Sequence, residues 1–185
     1  MDTRAVFLAL AGICLAQAVA AAGDEPTIAR IRSTDPSLTV LIDRAAAHSA
    51  TFQRLVATIQ RSNGMVQIEL GACGPGVHAC LLVWMETAAS NRFLRIYIDR
   101  RRGDSDLDVM ASMGHELQHA VEALREPAVT DSVRLYHFFE RIAPRGDGHR
   151  FETKTAERVG DKVRHELRTR RGTSVAVTGS SRQSN

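Results

Sequence analysis

LDVMASMGHELQHAVEALREP, residues 107–127, is the stretch on which the fold turns. Leu107, Met110, Gly114, Leu117, Val121 and Leu124 recur at alternating steps of three and four, which predicts one apolar stripe on a long helix. Pro127 closes it. His115 and His119 stand beside that stripe, separated by about 40° of helical rotation, so both rings share a face. Two imidazoles so placed can bind one metal ion, at roughly 2.0–2.1 Å for zinc. Glu116 lies about 100° round the helix, close enough to reach a metal-bound water without becoming a ligand. The pattern H-E-x-x-H therefore points to metal-assisted hydrolysis with Glu116 as general base. Two unconnected surface histidines are the plainer alternative.

A third ligand has to come from elsewhere in the chain. Downstream, residues 131–142 predict a short helix with Leu135, Phe138, Phe139 and Ile142 inward. Arg145-Gly146-Asp147-Gly148 reads as a loop. A last helix is expected from about Phe151 to Arg168, with Ala156, Val159, Val163 and Leu167 on its stripe. Glu152 falls one turn ahead of Ala156 on that apolar stripe, where a carboxylate is costly unless paired or metal-bound. Glu157 shares the solvated face of Asp161, Arg164 and Arg168. Glu152 is therefore taken as the third ligand, with Glu157 as its alternative. Glu122 is a rival on the histidine face and equally suits supporting His119 from behind. Tyr136, His137 and His149 are the candidates to stabilise a developing oxyanion.

Upstream, Asp35-Pro36 predicts a helix start. Leu38, Leu41 and Ala45 continue it. After a break near Ser49, Phe52, Leu55, Val56 and Ile59 follow, and Asn63-Gly64 stops the run. Three strands come next. Val66, Ile68 and Leu70 alternate with polar residues; Cys80 to Met85 is a continuous apolar run that suits a central strand; Leu94, Ile96 and Ile98 alternate again.

The N-terminus reads as a targeting segment. Arg4 precedes an apolar run from Ala5 to Ala22 that ends in small residues, which predicts a signal peptide over 1–22 cleaved after Ala20 or Ala22. A membrane anchor is the alternative, but Gln17 and the alanines weaken it, and no later segment is apolar enough to span. Secretion or a periplasmic location implies oxidation, and removing Cys14 leaves Cys73 and Cys80 as an even pair. Their turn-rich insert, Gly74-Pro75-Gly76-Val77-His78-Ala79, favours a disulfide over two thiols or a zinc site with His78. Residues 23–35 are expected to be irregular, 36–171 to form the domain, and 172–185 a frayed tail.

Composition narrows the partners. Of the 185 residues, 44% are hydrophobic and 24% charged, which is ordinary globular usage. A net charge of +3 is too mild, and 5% aromatics too few, for a dedicated nucleic-acid surface. It leaves, as a lesser reading, a basic exported protein adhering to anionic polymers.

The run Gly114-His115-Glu116-Leu117-Gln118-His119-Ala120-Val121-Glu122, followed by Phe151-Glu152-Thr153, resembles small exported bacterial zinc metallopeptidases of the zincin type, in their Glu-liganded (gluzincin) branch. Glu122 and Arg125 stand where the metzincin branch carries Gly and His, so that branch is excluded. The resemblance covers about residues 36–168. It implies an α+β fold: an N-terminal helix, a small sheet of three or more strands, the H-E-x-x-H helix and a C-terminal Glu-bearing helix. It also implies one Zn²⁺ held by His115, His119 and Glu152, catalysis by Glu116, and a peptide or protein substrate. Residues 93–99 and 65–70 are the two strands that could serve as the substrate-binding edge implied by the resemblance. A non-catalytic, zinc-stabilised secreted binding protein is the alternative.

Overall fold

A computed structural model describes residues 29–101, 103–143 and 151–179, with side chains as far as Arg170. The signal-peptide segment, His149, the Arg145–Gly148 loop and residues 180–185 lie outside the described residues. The fold is α+β: five helices and a four-stranded mixed sheet among the described residues.

Asp35 caps α1 (Pro36–His48) by accepting the N–H groups of Ser37 and Leu38, at 2.8 and 3.3 Å. The expected break falls at Ser49. Its N–H donates to Ala45 O at the end of α1, and its hydroxyl accepts Phe52 N–H to open α2 (Ala50–Gln60). The sheet follows as β2 (Gly64–Leu70), β3 (Ala79–Ala88) and β4 (Asn91–Ile98). A short β1 (Ile31–Arg32) pairs in parallel with β2, where the sequence reading expected irregular chain. Two residues are too few to show a period.

Strand order is β1-β2-β4-β3, with β4 parallel to β2 and antiparallel to β3. This corrects the expectation for Cys80–Met85, because β3 is an edge strand, not a central one. Its apolar residues serve two surfaces: Met85 is buried in the core, whereas Val83 is 41% exposed on the open side. Leu81 pairs with Ile96 and Met85 with Leu94, so Leu82–Trp84 bulge opposite Arg95 alone. The inward alternation of β2 and β4 is as expected except at Leu70, which ends β2 exposed rather than inward. Val66, Ile68, Leu94, Ile96 and Ile98 form the sheet's half of the core.

The central helix α3 (Asp106–Arg125) packs between that sheet and α5 (Lys154–Gly179). Ser105 caps its N-terminus. Its C-terminus is capped from the sheet by Arg92, only 5% exposed, which donates to Leu124 O, Glu126 O and Val129 O at 2.5, 2.8 and 3.0 Å. Burial lowers the pKa of this guanidinium. Helix α4 (Ser132–Ile142) buries Leu135, Phe138 and Phe139, while Ile142 is exposed rather than inward. Helix α5 starts at Lys154, later than the sequence reading placed it, and runs past Arg168 to Gly179. Gly172 does not stop it, so residues 172–179, expected to be a frayed tail, are helical.

α3 and α5 approach closely where side chains are absent. A Cβ on Gly114 would lie 2.9 Å from Val163 Cγ2, and one on Gly160 would lie 3.2 Å from His115 Cβ. α5 is also tied to α2: Glu166 accepts Ser49 Oγ–H (2.6 Å), Thr51 Oγ1–H (2.7 Å) and Thr51 N–H (2.9 Å).

Candidate metal centre

The 3.6-residue repeat of α3 brings His115 and His119 to one face, with their Nε2 atoms 3.1 Å apart. The His119 ring is fixed on both sides. Its Nδ1 faces Glu122 Oε2 at 3.2 Å, and the Phe139 ring meets it edge-on at 5.5 Å. Glu122 also accepts Gln118 Nε2–H (3.3 Å) and the Thr153 hydroxyl (2.9 Å). Thr153 Oγ1 in turn accepts Ala156 N–H at 3.1 Å, capping α5. Thr153 thus links the start of α5 to α3, and the preceding residue, Glu152, is carried over the paired imidazoles.

Glu152 Oε2 lies 3.0 Å from His115 Nε2 and 3.9 Å from His119 Nε2. The atom is buried and makes no properly directed hydrogen bond, although the side chain as a whole is 41% exposed. Such a buried acceptor is costly unless a positive group satisfies it. Donor atoms on a tetrahedral zinc ion would stand about 3.3 Å apart, given bonds of roughly 2.0–2.1 Å. The three observed separations bracket that figure, and the set of two imidazoles and one carboxylate suits zinc chemistry. His115, His119 and Glu152 therefore fit a divalent ion.

Protons compete for the same atoms. Burial disfavours a charged His119, but the bonds to Glu122 and Glu152 and the charge of Glu116 outweigh it and raise the His119 pKa to about 9. The nearby His115 and His119 rings hold Glu152 down to about 2. Glu116 is shifted the opposite way. Burial raises its pKa, partly countered by the two histidines. Glu116 Oε2 accepts Leu81 N–H of β3 at 2.7 Å, and Oε1 stands 4.0 Å from His115 Nε2.

His115 borders a separate depression, while Glu116, His119 and Glu152 line one side of a cleft of about 540 Å³. Its other side is the loop closed by the Cys73–Cys80 disulfide, and β3 runs along its floor through Leu81 and Val83. Phe139 and Phe151, stacked at 5.8 Å, close one end.

His115, Glu116, His119 and Glu152 are thus brought together as the sequence reading expected. The reason given there for Glu152 needs correction: the residue precedes α5 and does not lie on its apolar stripe. Glu157 lies by a separate depression with Asp161 and Arg164, on the far side of His115. Glu122 backs His119. Among the described residues Tyr136 does not line the cleft; its ring meets that of Phe151 edge-on at 5.3 Å. His137 pairs with Glu140 at the surface. Residues 65–70 and 93–99 form interior strands, so the edge beside the cleft belongs to β3. Sequence reasoning missed Leu81 N–H, Thr153 and Phe151. Only Thr153 left a trace, a hydroxyl three residues ahead of a buried Ala156. Comparison with protein-family models, curated proteins and solved structures finds no match.

Proposed function

We propose that this chain is an exported, zinc-dependent peptidase in which Glu116 moves the proton. The observation that carries the reading is the buried, unsatisfied Glu152 Oε2 poised over two imidazole nitrogens, with a second buried carboxylate beside them. The Cys73–Cys80 disulfide supports export. His115, His119 and Glu152 would hold the ion. Zinc, when bound, polarises a carbonyl and lowers the pKa of water towards about 7.

The remaining work falls to the protein's own groups. With Glu122 accepting the Nδ1 proton of His119, Nε2 would be the nitrogen free to ligate. The Leu81 N–H holds Glu116 Oε2 and leaves Oε1 on the side of the histidines. Glu116 accepts a proton from the attacking water at Oε1, the water oxygen bonds to the peptide carbon, and the C–N bond breaks as Glu116 returns the proton to the amine nitrogen. Burial raises its pKa above the ordinary carboxylate value, which makes it a stronger proton acceptor. β3 is the edge strand of the sheet beside the cleft, where an extended substrate would add.

The bond between Glu116 and Leu81 N–H also favours a second reading, a zinc-stabilised binding protein in which Glu116 is structural. Metal analysis and hydrolysis of a broad peptide library separate the two. The peptidase reading expects stoichiometric zinc in the wild type, loss of zinc in Glu152→Ala, and retained zinc in Glu116→Gln with hydrolysis reduced about 10²–10⁴-fold. A zinc-loaded wild type that cleaves nothing in the library would establish the binding protein instead.

A further inference from the structure

The two sides of the cleft differ chemically. Charged and metal-ligating groups occupy one; the other, the loop from Cys73 to Val77, carries no charge. His78 does not line the cleft and pairs with Asp104 at 3.3 Å. The loop's shape depends on Gly74 and Gly76, whose φ angles of +94° and +75° side chains rarely adopt. It is clamped from outside: Arg101 donates to Gly74 O at 3.3 Å and Val77 O at 3.5 Å, and Cys73 N–H donates to Asp99 Oδ2 at 3.4 Å. The disulfide closes the span. Val77, Leu81, the exposed Val83 and the stacked Phe139 and Phe151 line one apolar gap of the same cleft.

That gap adjoins Glu116 and the open edge of β3, so an extended peptide on the edge would place one side chain into it. α4 covers only the far half of this edge, where Ser132 Oγ accepts Met85 N–H at 3.0 Å. Resting on the peptidase reading, we propose that the loop Cys73–Cys80 is the specificity element of the cleft. It selects peptides with a bulky apolar side chain next to the reacting bond, and does so only while its disulfide is closed.

The test measures binding apart from turnover. Fluorescence anisotropy compares a labelled peptide with a central Ala-Leu pair and its Ala-Gly counterpart on the zinc-loaded Glu116→Gln protein. The same pair is compared after adding Cys73→Ser with Cys80→Ser, or Val77→Asp. The expected result is a preference of about 10- to 100-fold for the Leu peptide, lost in both loop variants at unchanged zinc content. Val77→Asp keeps the disulfide, so it reads the wall even if the serine variant fails to fold. Equal or undetectable binding of the two peptides to the parent protein, or the same preference in the loop variants, overturns the proposal. Hydrolysis by the wild type is followed in parallel. A loop-dependent preference without any cleavage upholds the loop's role in selection and removes the peptidase reading alone.

Discussion

Glu122 shapes the centre without lining the cleft: one carboxylate receives bonds from His119, Thr153 and Gln118, so it orients a candidate ligand and anchors the segment carrying another. Glu122→Gln should weaken zinc binding about 10–100-fold, measured by competition with a chromophoric chelator. The same cluster ties metal affinity to pH. His119 has to lose its proton before it can ligate, and that proton is held up to about pH 9. Zinc affinity of the metal-free protein should therefore rise with pH, by up to about tenfold per unit, and level off near pH 9. Stability without metal should run differently. The raised His119 pKa stabilises fully below its ordinary 6.5, and this is lost as pH climbs through about 9. The depressed Glu152 pKa stabilises above its ordinary 4.5, and this is lost as pH falls towards about 2. Denaturant midpoints of the metal-free protein should show this cluster contributing most between pH 4.5 and 6.5.

At the scale of elements, α3 is positioned by its ends and by its seam with α5. Four carbonyls at and just beyond its C-terminus, those of Ala123, Leu124, Glu126 and Val129, rely on the forked guanidinium of Arg92, which a lysine ammonium cannot span. Arg92→Leu should cost about 3 kcal/mol by urea denaturation, because the buried carbonyls lose their donor, and Arg92→Lys should recover little of it. The seam is more sensitive for function. Gly114→Val should cost roughly 1–3 kcal/mol through overpacking against Val163. It should also lower zinc content, since α5 follows directly from Glu152; metal analysis alongside the melt checks both. Arg92 was legible in principle. It keeps parity with Leu94 and Ile96, and so belongs to the buried face of β4. The need for glycine at 114 was not legible, because its cause, Val163, lies on another helix.

Across the whole molecule, what a period encodes was readable and what assembly creates was not. The helix stripes, the cap at Asp35, the break at Ser49 and the inward faces of β2 and β4 follow from local spacing. The imidazole pair is equally local, four residues on one helix. Strand order is not, so β3 was misplaced at the centre and β1 was missed. Glu152 was chosen correctly as a neighbour of the histidines for an incorrect reason, since Thr153, not a helical stripe, carries it there. α5 also closes the molecule at its far end through Glu166, whose carboxylate meets Ser49 and Thr51. Glu166→Ala should lower the unfolding free energy by about 1–3 kcal/mol in urea denaturation with zinc content unchanged, since the contact lies away from the metal centre. The glycine seam carries a constraint on descent. No amino acid is smaller than glycine, so neither seam position can shrink further to make room for growth opposite. A methyl group at 114 can be accommodated by trimming Val163 to alanine. At 160 the opposing atoms belong to His115 and the Ala111 backbone, which offer nothing to trim, so a methyl group there has to be absorbed by a shift of a few tenths of an ångström in one of the paired imidazoles.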